Sequence, residues 1–133
     1  MDILKLNGTD KKLYSLVAPL AMNAEVLKQN NGYPFKTSDA HTWFLAMEKK
    51  RVVGFLPFVY KGKNKIYIDN YYIKGDDPTI IKALTQAIIG DYSLETDVTV
   101  LVHKRHVKMF GQNGFISTKQ WKNYESMKYE HTI

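Results

Sequence analysis

The chain has 133 residues, enough for one domain with a real core, and its 44% hydrophobic and 24% charged content is that of a folded globular protein. It has no cysteine, which excludes disulfides, thiolate metal sites and a cysteine nucleophile, and no apolar stretch approaches the ~20 residues of a membrane span or forms a signal near "MDILKLNGTDKK". The formal charge of +6 favours solubility and attracts anions such as nucleic acid or phosphorylated cofactors, and a cytoplasmic protein without membrane contact is expected.

"DILKL" (2–6) alternates apolar and polar residues and predicts a first strand. Asp10 can cap a helix carrying Leu13, Leu16 and Val17 on one face, with Pro19 interrupting it. A second helix is expected over Ala21 to Gln29, stopped by "NNG" (30–32), and 32–41 reads as an irregular connection. Three strands follow: "TWFLAM" (42–47), "VVGFLPFVY" (52–60) and "IYIDNYYI" (66–73), separated by the polar turns "EKKR" and "KGKNK". Pro57 implies a bulge or an edge position in the second of these.

"DDPTIIKALTQAIIGD" (76–91) has the clearest helix pattern, with Asp77 at the N-cap, Pro78 at N1 and a stripe of Ile80, Ile81, Leu84, Ala87 and Ile88. "DVTVLV" (97–102) is a buried strand, "HKRHVKMFGQ" (103–112) a short basic helix, and "FIST" (115–118) and "NYESMKYE" (123–130) two closing strands. The result is a single α/β (α+β) domain, a mixed, mostly antiparallel sheet flanked by helices in the order β-α-α-β-β-β-α-β-α-β-β.

His41, His103, His106 and His131 offer no third ligand at a characteristic spacing beside the His103/His106 pair, so no metal site is expected. "HKRHVK" (103–108) is the one concentrated basic run; it can meet phosphates of a cofactor or of nucleic acid, or be a solvated helix face. Trp121, Lys122 and Tyr124 add aromatics among cations, a pattern too short to be specific for bases.

Three stretches resemble the GNAT superfamily of N-acetyltransferases, and the likeness in element order spans nearly the whole chain. "WFLAMEKKRVVGFLPF" (43–58) looks like that family's second and third strands, "YIDNYYI" (67–73) like its fourth strand, and "HVKMFGQNGFI" (106–116) like its fourth helix, which usually ends Leu-Tyr-x-x-x-Gly-Phe. The resemblance implies acetyl-CoA as cofactor and a primary amine as acceptor. It implies a pantetheine arm along Tyr71, Tyr72 and Ile73. The pyrophosphate is then expected on the loop Lys74–Gly75 and on the N–H groups of Thr79 and Ile80, with Lys104 and Lys108 near the phosphates. A helix N-terminus suits phosphate because its N–H donors are free and it carries about half a positive charge.

Two features depart from that pattern. "KGDDPT" (74–79) has one glycine where the family pairs them, is about two residues short, and puts Asp76 and Asp77 where a pyrophosphate belongs, so weak cofactor binding is expected. Asp77 can equally be a plain helix cap. Phe110 stands in the position of the tyrosine that commonly protonates the departing thiolate. Tyr72, and more remotely Tyr71 or Tyr124, are the phenols left to replace it. Asp69, read as a carboxylate in the middle of an apolar strand, is the candidate base, with Glu48 weaker. The alternative reading is a non-catalytic GNAT-like module for a partner or a nucleic acid. Edge strands near the C-terminus can pair into a homodimer.

Overall fold

The computed structural model describes residues 1–92 and 95–130. The elements are β1 (Asp2–Asn7), α1 (Lys11–Ala21), α2 (Ala24–Gln29), β2 (Thr42–Glu48), β3 (Arg51–Tyr60), β4 (Lys65–Ile68), β5 (Tyr72–Ile73), α3 (Pro78–Asp91), β6 (Asp97–His103), α4 (Val107–Gln112), β7 (Phe115–Gln120) and β8 (Tyr124–Tyr129). The sheet runs β1-β2-β3-β4-β6-β8-β7, with β5 joined to β3 alone. Every pairing is antiparallel except β4 with β6.

Helices cover both faces, and strand alternation divides the core accordingly. Side chains are sorted by parity: Trp43, Leu45 and Phe55 point to α1 and α2, meeting Leu13, Val17 and Val26. Phe44, Ala46, Leu56 and Phe58 point the other way, to Ile80, Ile81, Leu84 and Ile88 of α3. Gly54 lets α3 approach the sheet. A Cβ there would lie 2.7 Å from Ile80 Cγ2 and 2.9 Å from the Tyr72 carbonyl oxygen.

Several sequence-based boundaries move. Pro19 does not interrupt α1, which continues to Ala21; the Ser15 carbonyl that loses its donor lies on the exposed side, where water can satisfy it. The second helix begins at Ala24 because Asn23 caps it, accepting from the Glu25 and Val26 N–H groups. His103 closes β6, and the expected basic helix is a 3₁₀ turn, Lys104–His106, followed by the short α4.

The largest correction is the run 66–73. It is not one strand: β4 ends at Ile68, residues 69–71 leave the sheet, and β5 resumes for two residues. The pairings Val59↔Tyr67 and Phe55↔Tyr72 on β3 differ in register by one residue, so the break is a bulge. Pro57, which has no N–H to donate, lies on β3 between these pairings; the bulge it implied falls in the neighbouring strand, while β3 stays central.

Candidate functional site

The break at 69–71 opens the sheet. β4 pairs in parallel with β6 as far as Ile68↔Val100, and beyond that point the two paths diverge. On one side of the parting lies a cavity of about 410 Å³. Asp69, Asn70 and Leu101 line it from the strands, Asn30, Tyr33, Lys36 and His41 from the connection after α2, and Tyr124 from β8. Asn70 Oδ1 is buried and has no hydrogen-bond partner among the described residues. A buried acceptor left unpaired is costly, and its residue adjoins Asp69 on the cavity lining. The Tyr124 hydroxyl accepts from Asn31 Nδ2 at 2.6 Å, which ties the turn after α2 to β8.

The parting itself is bridged by Tyr71. Its side chain is 3% exposed. The hydroxyl accepts from the backbone N–H of His103 at 3.1 Å and lies 2.7 Å from His106 Nδ1. The hydroxyl donates to Nδ1, because the neutral imidazole keeps its proton on the nitrogen that faces a carboxylate, Nε2. That nitrogen donates to Asp76 Oδ1 at 2.6 Å, the same oxygen that receives Arg105 Nε at 2.9 Å. Arg105 also donates from Nη2 to the Gln29 carbonyl at 3.0 Å. The rings of His103, His106 and Phe110 pack around Tyr71 with centroids 5.2, 5.5 and 5.5 Å away.

Burial sets the protonation of this network. It pushes the Tyr71 phenol up and the His103 imidazole down to about 4, with the Arg105 charge adding to the latter. Burial also lowers His106, and the hydrogen bond to Asp76 offsets part of that. At Asp76 burial acts upward, but the hydrogen bonds from Arg105 and His106 outweigh it and hold the carboxyl below the usual range. The chain Tyr71–His106–Asp76–Arg105 therefore holds a neutral imidazole between a phenol and an ion pair.

The start of α3 is occupied from within. Asp77 Oδ1 accepts from the Thr79 N–H at 2.9 Å and from the Thr79 hydroxyl at 2.8 Å, and the Ile80 N–H goes to the Asp77 carbonyl. The Thr79 and Ile80 N–H groups, expected to receive a pyrophosphate, are thus both taken by Asp77, which is the N-cap. The segment before it is a 3₁₀ turn in which Gly75 (φ +63°) and Asp76 (φ +52°) are left-handed. In this arrangement the segment does not fit a pyrophosphate, because the Asp77 carboxylate and carbonyl hold the N–H donors such a group would use.

Of the other residues singled out from sequence, Tyr72 and Ile73 are buried in opposite cores. Tyr72 packs on Phe55 at 5.5 Å and faces a separate depression with Leu16, Leu20 and Lys74, not the Asp69 cavity. Lys104 is paired with Glu125 at 2.9 Å, and Lys108 and Lys74 are exposed. "HKRHVK" is consequently not a free basic face: two imidazoles are buried and two cations are in ion pairs. Asp69 is not mid-strand but exposed at the break. Glu48 closes β2 away from the cavity, against Lys49 and Arg51. His131 lies outside the described residues. The described residues hold no cluster of three metal-ligating side chains, and none of their helices is long and apolar enough to cross a membrane. Sequence reasoning missed Asn70, His41, Lys36 and the "NNGY" segment as cavity walls; a signal existed only in the Asp-Asn pair interrupting a β-rich run.

No protein-family model and no curated protein matches the sequence. Solved structures do. Escherichia coli ElaA is similar at 13% identity and a TM-score of 0.74, covering 98% of this chain and 100% of that one. Campylobacter jejuni N-acetyltransferase PseH in complex with acetyl coenzyme A gives 17% and 0.63 over 98% and 100%. A GNAT family acetyltransferase from Elizabethkingia anophelis with acetyl-CoA bound gives 12% and 0.64 over 98% and 97%. The chain has the GNAT fold over essentially its whole length.

Proposed function

We propose that this chain is an N-acetyltransferase that uses acetyl-CoA and a primary amine, in a state closed to its cofactor. The observation that carries the reading is the cavity at the parting of β4 and β6, with exposed Asp69 on its wall. The Asp69 carboxylate suits an ammonium: it accepts an N–H and can take the proton that must leave before the amine attacks. Attack of an amine on a thioester needs such a base together with positioning. The likeness to structures that hold acetyl-CoA supports the cofactor class. Phe110, buried against Tyr71, has no proton for the leaving thiolate, so the reading asks positioning to supply more of the rate.

The experiment is acetyl transfer from acetyl-CoA to a panel of primary amines, followed by free thiol release. Asp69→Asn should lower any turnover by about tenfold or more, given that a positioned base contributes ~10²–10⁴. Equal turnover in the variant would remove Asp69 from the mechanism, and no transfer together with no thermal shift at millimolar acetyl-CoA would sink the enzyme. The bridge made by Tyr71 favours a second reading, a GNAT-fold module that binds a partner or nucleic acid without catalysis. A salt-sensitive shift with a short nucleic acid and none with acetyl-CoA would select it.

A further inference from the structure

We propose that Arg105 and His106 form a phosphate-binding site that the chain fills with its own Asp76 carboxylate, and that a ligand phosphate binds by displacing Asp76. The acetyltransferase reading enters only in naming acetyl-CoA as one carrier of that phosphate.

The site is built, not merely charged. His106 is 1% exposed, and its Nδ1 is fixed by the buried Tyr71 hydroxyl, which the His103 N–H fixes in turn. Its Nε2–H is therefore aimed in one direction, at the anion. Arg105 is held independently of that anion by its bond to the Gln29 carbonyl. Two donors from one turn converge on a single oxygen, Asp76 Oδ1, at 2.6 and 2.9 Å. This is the arrangement that receives one oxygen of a phosphate, with the guanidinium free to take a second. Lys104, the adjacent cation, is already neutralised by Glu125, so Arg105 is the charge whose partner decides the site.

The occupant is suited to leaving. Asp76 is 43% exposed on its side chain, and its backbone is left-handed at φ +52°, a conformation a non-glycine residue holds under strain. Gly75 before it, at φ +63°, leaves the turn free to re-form with the carboxylate turned out. A phosphate brings more negative charge and more acceptor oxygens than one carboxylate, but Asp76 competes at the high effective concentration of a tethered group. The apparent affinity of the wild type is reduced by the fraction of chains in which Asp76 is displaced.

The test is calorimetric titration with inorganic pyrophosphate and, separately, acetyl-CoA, at fixed ionic strength. The proteins are wild type, Asp76→Asn, Asp76→Gly and Asp76→Gly/Arg105→Gln. Asn and Gly both tolerate the left-handed backbone at position 76, so both variants keep the turn. Both single variants should bind pyrophosphate at least about tenfold more tightly than wild type, and the added Arg105→Gln should abolish the gain. Equal pyrophosphate affinity in wild type and both variants overturns the inference. A gain that survives Arg105→Gln does so too, since it would then be nonspecific charge. A gain for pyrophosphate but not for acetyl-CoA supports the phosphate site and counts against the acetyltransferase reading. Acetyl transfer by wild type with no gain in either variant leaves that reading standing and removes this inference.

Discussion

Tyr71→Phe deletes one oxygen and keeps the ring, so it isolates the hydroxyl that spans the parting of the sheet. The ring contacts to His103, His106 and Phe110 survive the change. Two buried groups lose their partner: the His103 N–H loses its acceptor and His106 Nδ1 loses its donor. Each unsatisfied buried group costs about 1–3 kcal/mol, and partial relaxation brings the sum to about 2–4 kcal/mol. That is a large share of the ~5–15 kcal/mol a domain of this kind possesses. Urea unfolding followed by the fluorescence of buried Trp43 measures it, as a fall in midpoint at unchanged slope. A loss below about 0.5 kcal/mol would refute the reasoning, because it would mean that the hydroxyl is not buried between two obligate partners.

Gly54→Ala should destabilise by about 1–3 kcal/mol, since the new methyl would sit 2.7 Å from Ile80 Cγ2 and 2.9 Å from a backbone oxygen. Gly90→Ala, with open space around its Cβ in α3, should instead gain about 0.4–1 kcal/mol, and the two midpoints compared in one urea series check both. Stability should also fall between pH 7 and 5. Buried His103 takes a proton near pH 4 when folded but near 6.5 when unfolded, so the unfolded chain binds more protons in that window and stability drops with pH. From those two values the loss at pH 5 is at most about 2 kcal/mol, with His106 acting in the same direction. The check is the same urea midpoint at each pH in wild type and His103→Gln, and an equal fall in both would remove His103 from the account.

Local chemistry was enough for the frame. Asp77 and Pro78 start α3 through a capping oxygen and a residue with no donor to lose, and both are visible in four letters. The alternation of Trp43, Phe44, Leu45 and Ala46 sorts side chains to two faces because a strand repeats every two residues. Asp76 and Asp77 in the loop, and Phe110 in the helix, could be marked as departures from sequence alone, because charge and the lack of a hydroxyl belong to the residue itself.

Whether those departures close the site could not be read there. "IYIDNYYI" has the composition of one strand, and only the competition between β3 and β6 for its edges breaks it at Asp69. Tyr71 meets His106 from 35 positions away, and Asp76 meets it from 30. Such partners are chosen by strand order and by the path of a turn, not by any periodicity. The same holds for the cavity, whose walls come from residues 30–41, 69–70, 101 and 124. A sequence fixes what each side chain can donate, accept or bury; which donor finds which acceptor across such separations is decided when the sheet closes, because burial then makes every unpaired group costly.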